Sequence, residues 1–145
     1  MTGIVPSGQG HLLTARGNVM AFKAVAAQTA GDFSLMERIV PPGARTPPPH
    51  RHVSCSEAFF VLDGTITFRL DDALLDGGPG DFLLVPRGAA HTFGNRGEEA
   101  ARLLVLHAPA MDAYFEELHT LWSASSPPPE QAERELMSRY GMEPA

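Results

Sequence analysis

Breaks in regular structure are spread along the whole sequence. The 145 residues include 14 glycines and 13 prolines, close to a fifth of the chain against roughly 12% in average proteins. Because glycine and proline interrupt helices, this density excludes a coiled coil or a simple helical bundle. It favours short strands joined by tight turns. The length suits one domain with one hydrophobic core.

Residues 18–108 are predicted to be a series of short strands. The predicted strands are NVMAFKAVAA, FSLMERIV, EAFFVL, TITFRL, DFLLVP and ARLLVLHA, separated by PPG, DG, DDALLDGGPG, PRG and GNRGEE as turn segments. In TITFRL the residues Ile66, Phe68 and Leu70 alternate with polar ones, which indicates a strand with one buried face. Asp63–Gly64 is a typical hairpin corner. Strands at this spacing, without long amphipathic stretches between them, predict an antiparallel sandwich or barrel.

The two ends of the chain differ from this central region. Residues 1–17 are rich in glycine and polar residues and are predicted to be a flexible segment. Residues 109–145 contain two predicted short helices, DAYFEELHTLW and EQAERELMSRY, separated by SSPPP. We therefore expect a flexible segment over 1–17, a barrel over 18–108, and a C-terminal helical extension over 109–145 that packs on the barrel.

The charge balance excludes several classes of partner. Lys and Arg number 11 against 17 Asp and Glu, a net charge of −6, and no basic cluster could follow a nucleic-acid backbone. The longest apolar run, around Leu103–Leu106, is far shorter than the roughly 20 residues of a membrane span.

The first residues lack the pattern of a secretory signal, and the single cysteine, Cys55, excludes an internal disulfide. We expect a cytoplasmic protein with a small-molecule partner, and neither nucleic acid nor membrane as a partner.

Two histidines and a glutamate occur together in GARTPPPHRHVSCSEAFFVLDG. His50 and His52 are two residues apart, so on a strand both imidazoles lie on one face while Arg51 points away. The preceding prolines keep this approach extended. Glu57 lies five residues further on, which simple alternation places on the opposite face. It can join the histidines only if the VSCS segment bends or bulges.

A third histidine follows a turn in GDFLLVPRGAAHTFGN. The apolar strand FLLVP ends at a Pro-x-Gly turn, and His91 comes directly after it. Three imidazoles and one carboxylate can hold a divalent first-row metal and leave one or two positions open for water or substrate. The predicted cofactor is one divalent transition metal: Fe, Mn, Ni, Co, Cu or Zn.

Both stretches resemble the paired signature motifs of the cupin superfamily, G-x5-H-x-H-x3,4-E-x6-G and G-x5-P-x-G-x2-H-x3-N. The second motif is matched at every position, by Gly80, Pro86, Gly88, His91 and Asn95. The first is matched from His50 to Gly64, but six residues instead of five separate Gly43 from His50. The resemblance covers about residues 32–108. It implies an all-β jelly-roll β-barrel, to which this chain adds short C-terminal helices. It also implies that the metal ligands are His50, His52, Glu57 and His91.

Other residues are candidates for a pocket wall or for contacts to the ligands. These candidates are Phe33, Met36, Glu37, Phe60, Phe93 and His107. Each apolar one is more simply explained as ordinary barrel core, and Glu37 faces either the barrel mouth or solvent. His107 shares a strand face with Leu103 and Val105, so it is a candidate for orienting the ligands or carrying a proton.

The resemblance implies an enzyme or a binding protein. Small cupins include quercetinase-like dioxygenases, and the C-terminal FEELHTLW and RYGME segments are similar to tails of that group. The expected function is a metal-dependent dioxygenase of an enolic or aromatic small molecule such as a flavonol, with Glu57 as ligand and catalytic base. The alternatives are an isomerase or cyclase of polyketide-type substrates, and a non-catalytic small-molecule-binding cupin. Related barrels dimerise through the N-terminal strand, which predicts a homodimer through NVMAFKAVAA.

Overall fold

The computed structural model describes residues 3–145, so Met1 and Thr2 of the N-terminal segment lie outside the described residues. The strands are β1 (His11–Ala15), β2 (Asn18–Ala24), β3 (Ser34–Val40), β4 (His50–His52), β5 (Ser56–Asp63), β6 (Ile66–Leu70), β7 (Ala73–Gly77), β8 (Phe82–Val85), β9 (His91–Gly94), β10 (Ala101–Ala108) and β11 (Met142–Pro144). The helices are α1 (Ala26–Thr29), α2 (Asp112–Ala124) and α3 (Glu130–Arg139).

Two antiparallel sheets make up the barrel over residues 3–145. The large sheet has the order β1-β2-β3-β10-β5-β8, and the small sheet has the order β11-β4-β9-β6-β7. Their inner faces meet in an aromatic core, where the ring of Phe59 on β5 lies 5.1 Å from Phe68 on β6 and 5.4 Å from Phe93 on β9. Two packed antiparallel sheets with short C-terminal helices confirm the predicted all-β jelly-roll.

The alternation of apolar and polar residues correctly predicted that Ile66 and Phe68 lie on the buried face of β6. Ile66 and Phe68 are buried, at 0% and 4% exposure, while Arg69 is exposed. The Asp63–Gly64 corner is not a hairpin, however, because β5 belongs to the large sheet and β6 to the small one. Gly64 has φ +75° where the chain crosses between the sheets, a conformation that glycine adopts without strain.

Three parts of the sequence interpretation need correction. Within residues 1–17, His11–Ala15 is the strand β1, held by a regular ladder to β2. Residues Ala73–Gly77, assigned above to a turn, form β7 and pair with β6. Finally, β2 is bonded on both sides, by β1 and β3. A dimer built by edge pairing would therefore use β1 and not β2.

The C-terminal segment covers one side of the barrel. Phe115 of α2 packs on Phe22 of β2 with ring centroids 5.8 Å apart. Glu133 of α3 forms a buried ion pair with Arg16, and β11 pairs with β4. No helix among residues 3–145 combines the length and apolar character needed to cross a bilayer.

Candidate metal centre

Two imidazoles on strand β4 point into the barrel. His50 and His52 are 4% and 3% exposed, and Arg51 between them is half-buried. The Nδ1 atom of His50 donates to the carbonyl of Pro48 at 2.7 Å. Because Nδ1 carries the proton in this hydrogen bond, Nε2 of His50 is the nitrogen free to act as a ligand.

Glu57 reaches the histidines because the chain changes sheets before it. His52 ends β4 in the small sheet, and Ser56 begins β5 in the large sheet. The VSC segment between them is the bend that the spacing required. Oε1 of Glu57 consequently lies 3.0 Å from Nε2 of His52, across the barrel interior.

His91 completes the group from β9. Its Nδ1 donates to the carbonyl of Ala89 at 3.1 Å, and its Nε2 lies 2.7 Å from Oε1 of Glu57. The turn before it is tied to β4, since the Gly88 amide donates to the carbonyl of His52 at 2.8 Å. This bond joins the two sequence motifs, so the histidines they carry are fixed relative to each other.

His107 contacts the second oxygen of the same carboxylate. It pairs with Glu57 in the β10–β5 ladder, is 2% exposed, and places Nε2 3.0 Å from Oε2 of Glu57. On its other side the ring lies 5.4 Å from Phe115 of α2. Both carboxylate oxygens therefore have imidazole partners, and a helix of the C-terminal extension covers the group.

The buried charges favour a carboxylate surrounded by imidazoles. Burial, with a smaller contribution from His91, lowers the pKa of His50 to about 3. Burial raises the pKa of Glu57, but His107 and the hydrogen bonds from His52 and His91 hold it well below its ordinary value. Burial lowers the pKa of His91, and its hydrogen bond to Glu57 more than offsets this, so that pKa is raised. Glu57 is thus ionised and His50 is neutral, the states in which each can bind a metal.

These residues fit a divalent metal ion. One donor atom from each of His50, His52, Glu57 and His91 lies within 4.8 Å of the others, and all four residues are buried. The three imidazole rings have centroids 4.4–5.3 Å apart. Three nitrogens and one carboxylate oxygen suit first-row divalent metals. The group can hold a metal ion, and the donor types do not select one metal.

The other candidates divide between the inside and the outside of the barrel. Met36 and Phe93 are buried in the core, at 0% and 5% exposure. Phe60 and Phe33 are 39% and 37% exposed and do not line the interior. For Phe60 the reason is alternation along β5, where Phe59 faces inward.

Glu37 likewise lies away from the metal centre. On β3 it falls between inward-facing neighbours and points to the outer face of the large sheet. There it accepts a hydrogen bond from the Gly8 amide at 2.8 Å and pairs with Lys23 at 3.1 Å and Arg102 at 2.9 Å. Its neighbour Arg38, which is not among the predicted site residues, points into the barrel and is 3% exposed. Its two-residue spacing from Met36 was the signal that could have identified it.

Comparison with known proteins agrees with this fold and these motifs. Residues 36–107 match the sequence profile of the family described as Cupin domain. The chain is 30% identical over 90 residues to quercetin 2,3-dioxygenase of Bacillus subtilis (strain 168), covering 62% of this chain and 26% of that protein. It therefore spans about a quarter of the length of this curated relative.

Solved structures show the same architecture. KdgF from Halomonas sp. superposes with a TM-score of 0.66 at 17% identity, covering 78% of this chain and 98% of that one. The polyketide cyclase RemF from Streptomyces resistomycificus gives a TM-score of 0.64 at 25% identity, covering 74% and 80%. Fold, motifs and profile together place the chain in the cupin superfamily.

Proposed function

We propose that this protein is a metal-dependent dioxygenase of an enolic aromatic small molecule, such as a flavonol. The observation that carries the proposal is the buried group of His50, His52, Glu57 and His91, whose donor atoms lie within 4.8 Å of one another. The likeness to quercetin 2,3-dioxygenase supports the choice of reaction. A redox-active divalent metal bound here would supply a Lewis acid for an enolate oxygen and the electronic states needed to react with O2.

The residues of the chain would bind and orient the reactants. His50 and His91 are fixed by hydrogen bonds to backbone carbonyls, so their Nε2 atoms stay directed at the centre. Burial of these side chains excludes water, which strengthens electrostatic interactions with a bound enolate. Phe115 of α2, packed on His107, adds to this exclusion.

Glu57 is the proposed base. Its depressed pKa keeps it as a carboxylate, so it can accept the proton of the enol hydroxyl at Oε1. Nε2 of His107 holds Oε2 of the same carboxylate at 3.0 Å. The contact fixes the carboxylate plane and leaves Oε1 turned toward the other imidazoles.

A second candidate is a cyclase of polyketide-type substrates. The likeness to the polyketide cyclase RemF, at 25% identity over 74% of this chain, favours it. The same centre would polarise a carbonyl, and Glu57 would remove a proton next to it, without consumption of O2. A binding protein without turnover would use the same ligands only to shape the pocket.

Oxygen uptake by protein purified without chelator separates these functions. We expect uptake on addition of a flavonol, and loss of uptake in His91→Ala. The matched control is His11→Ala, because the His11 side chain is 56% exposed and lies outside the metal group. Product formation from a polyketide-type diketone without uptake would support the cyclase. Bound metal without turnover of any enol or diketone would support the binding protein.

Two further expectations remain proposals: a cytoplasmic location and a homodimer. In the large sheet β1 and β8 are the edge strands, and an unpaired edge is where another chain can add. Light scattering at micromolar concentration tests the dimer. A monomer under those conditions would contradict it.

A further inference from the structure

An arginine is buried in the barrel interior without a full set of partners. Arg38 on β3 faces inward between Met36 and Val40 and is 3% exposed. Its Nε donates to Oδ1 of Asn18 at 3.1 Å, and its guanidinium carbon lies 4.9 Å above the ring of Phe93. Its Nη2 is buried and has no hydrogen-bond partner among residues 3–145.

No carboxylate forms a salt bridge with this guanidinium. Among the described residues, no Asp or Glu oxygen lies within 4.0 Å of the Arg38 nitrogens, whereas the nearby Arg16 is paired with Glu133. Burial, together with repulsion from Arg16, lowers the pKa of Arg38 to about 9, although Glu57 and Tyr114 act to raise it. A buried charge without a direct ion pair destabilises a fold, so stability does not explain this residue.

Arg38 lies on the same inner face of the large sheet as Glu57 and His107. Phe93, under the guanidinium, is two residues from His91 on β9. On the large sheet Arg38 is level with Leu103, and Glu57 is level with His107, four residues further along β10. The backbone positions at these two levels are about 13 Å apart. The long side chain of Arg38 shortens the distance that a ligand would have to span between them.

The row between these two levels is apolar. It consists of Met36, Val105 and Phe59, which pair across the three central strands of the large sheet. These three side chains are at most 1% exposed, so a ligand that reaches both ends would displace Met36, which adapts its shape to a neighbour more readily than branched side chains do. The interior therefore has a polar group at each end and an apolar centre.

The charges of this interior call for an anion. A divalent ion bound by three neutral imidazoles and one carboxylate would leave one positive charge, and Arg38 adds a second. We propose that Arg38 binds a carboxylate group of the substrate, whose enolic end lies at the metal centre. Only the placement of the enolic end at the metal centre rests on the proposed function. The Nη side of a guanidinium offers two parallel donors that match a carboxylate, and the Asn18 bond to Nε leaves that side available.

A pair of matched probes tests this proposal by binding and not by turnover. 4-Hydroxybenzoate carries a phenolic hydroxyl and a carboxylate at opposite ends of its ring, and 4-hydroxybenzamide is its neutral counterpart. Titration calorimetry on zinc-loaded protein should give a dissociation constant on the order of tenfold lower for 4-hydroxybenzoate, as expected for a charge-assisted contact. Arg38→Met should remove the preference, Arg38→Lys should keep part of it, and zinc content should stay unchanged. Arg69→Met is the control, because Arg69 is exposed on the outer face of β6.

The outcomes separate this proposal from the proposed function. Equal binding of the two probes to the wild type overturns the Arg38 proposal, even if no variant folds. A ligand-free Arg38→Met protein that melts below the wild type would assign Arg38 to packing and also overturn it; a higher melting temperature supports it. Preference for 4-hydroxybenzoate without O2 uptake on any enol leaves the anion site standing and removes the dioxygenase. Flavonol-dependent O2 uptake that Arg38→Met leaves unchanged would support the dioxygenase and remove the anion site.

Discussion

His107 donates to Glu57 across the β10–β5 ladder, with Nε2 3.0 Å from Oε2, in a pair that is almost completely buried. The contact joins residues 50 positions apart, and it leaves the other carboxylate oxygen facing His52 and His91. The orientation of the proposed metal ligand Glu57 thus depends on a residue outside the two motifs.

Replacing His107 should weaken metal binding without abolishing it. In His107→Ala the Oε2 atom of Glu57 loses its partner, and loss of such a supporting contact typically lowers metal affinity about 10–100-fold. Competition with a chromogenic chelator measures the affinity. His11→Ala is the control, and an affinity equal to that of the wild type in His107→Ala would contradict the role given to this contact.

The Arg16–Glu133 pair should hold the C-terminal extension on the barrel. Nε of Arg16 donates to Oε1 of Glu133 at 2.7 Å, and the two side chains are 3% and 11% exposed. Glu133→Gln leaves a buried charge uncompensated, which should lower the free energy of unfolding by about 3–5 kcal/mol. The control Glu130→Gln breaks an exposed pair with Arg134 and should cost less than about 0.5 kcal/mol. Urea denaturation of both variants compares them, and equal losses would refute the assignment.

Two motif glycines should differ in their tolerance of alanine. Both Gly64 and Gly88 have positive φ, +75° and +84°, which costs alanine about 1–2 kcal/mol. A Cβ on Gly64 would also lie 2.9 Å from the carbonyl oxygen of Ala100, whereas a Cβ on Gly88 meets nothing within 4 Å. Gly64→Ala should therefore have the lower melting temperature. The reverse order would show that the crossing between the sheets is not tightly packed.

Glu37 should contribute stability that depends on pH. Burial raises its pKa, but the Gly8 amide, Lys23 and Arg102 together hold that pKa below its ordinary value of 4.5. Because the folded pKa is depressed, the contribution is present above pH 4.5 and is lost as the pH falls through the folded pKa. Glu37→Gln should be less stable than the wild type at pH 7, and the difference should shrink on acidification. A difference that stays constant from pH 7 to about pH 3 would contradict this, and exposed Glu98→Gln serves as control.

The spacing of the motifs predicted much of the candidate metal centre because it records local geometry. His50 and His52 share a face by simple alternation, and His91 follows a turn that its Pro-x-Gly sequence specifies. For Glu57 alternation gave the opposite face, since that rule assumes one continuous strand and here the chain changes sheets. Glu57 joins the histidines only through the bend in VSCS, where the chain passes from the small sheet to the large one.

Elsewhere neighbouring strands, and not the local pattern, decide the outcome. Glu37 and Arg38 are both charged, so hydropathy could not tell which one faces inward until β3 was paired with β10. The β7 segment is an edge strand with four exposed residues, so it shows no apolar alternation. The contact of His107 with Glu57 depends on pairing between β10 and β5, which no local pattern contains.

Metal content tests the central claim most directly. Elemental analysis of protein purified without chelator should find about one divalent transition-metal ion per chain in the wild type and in a His11→Ala, His119→Ala control. The matched double variant His50→Ala, His52→Ala, shown by circular dichroism to be folded, should retain less than about a tenth of that content. An unchanged metal content in the folded double variant would contradict the assignment of His50 and His52 as ligands.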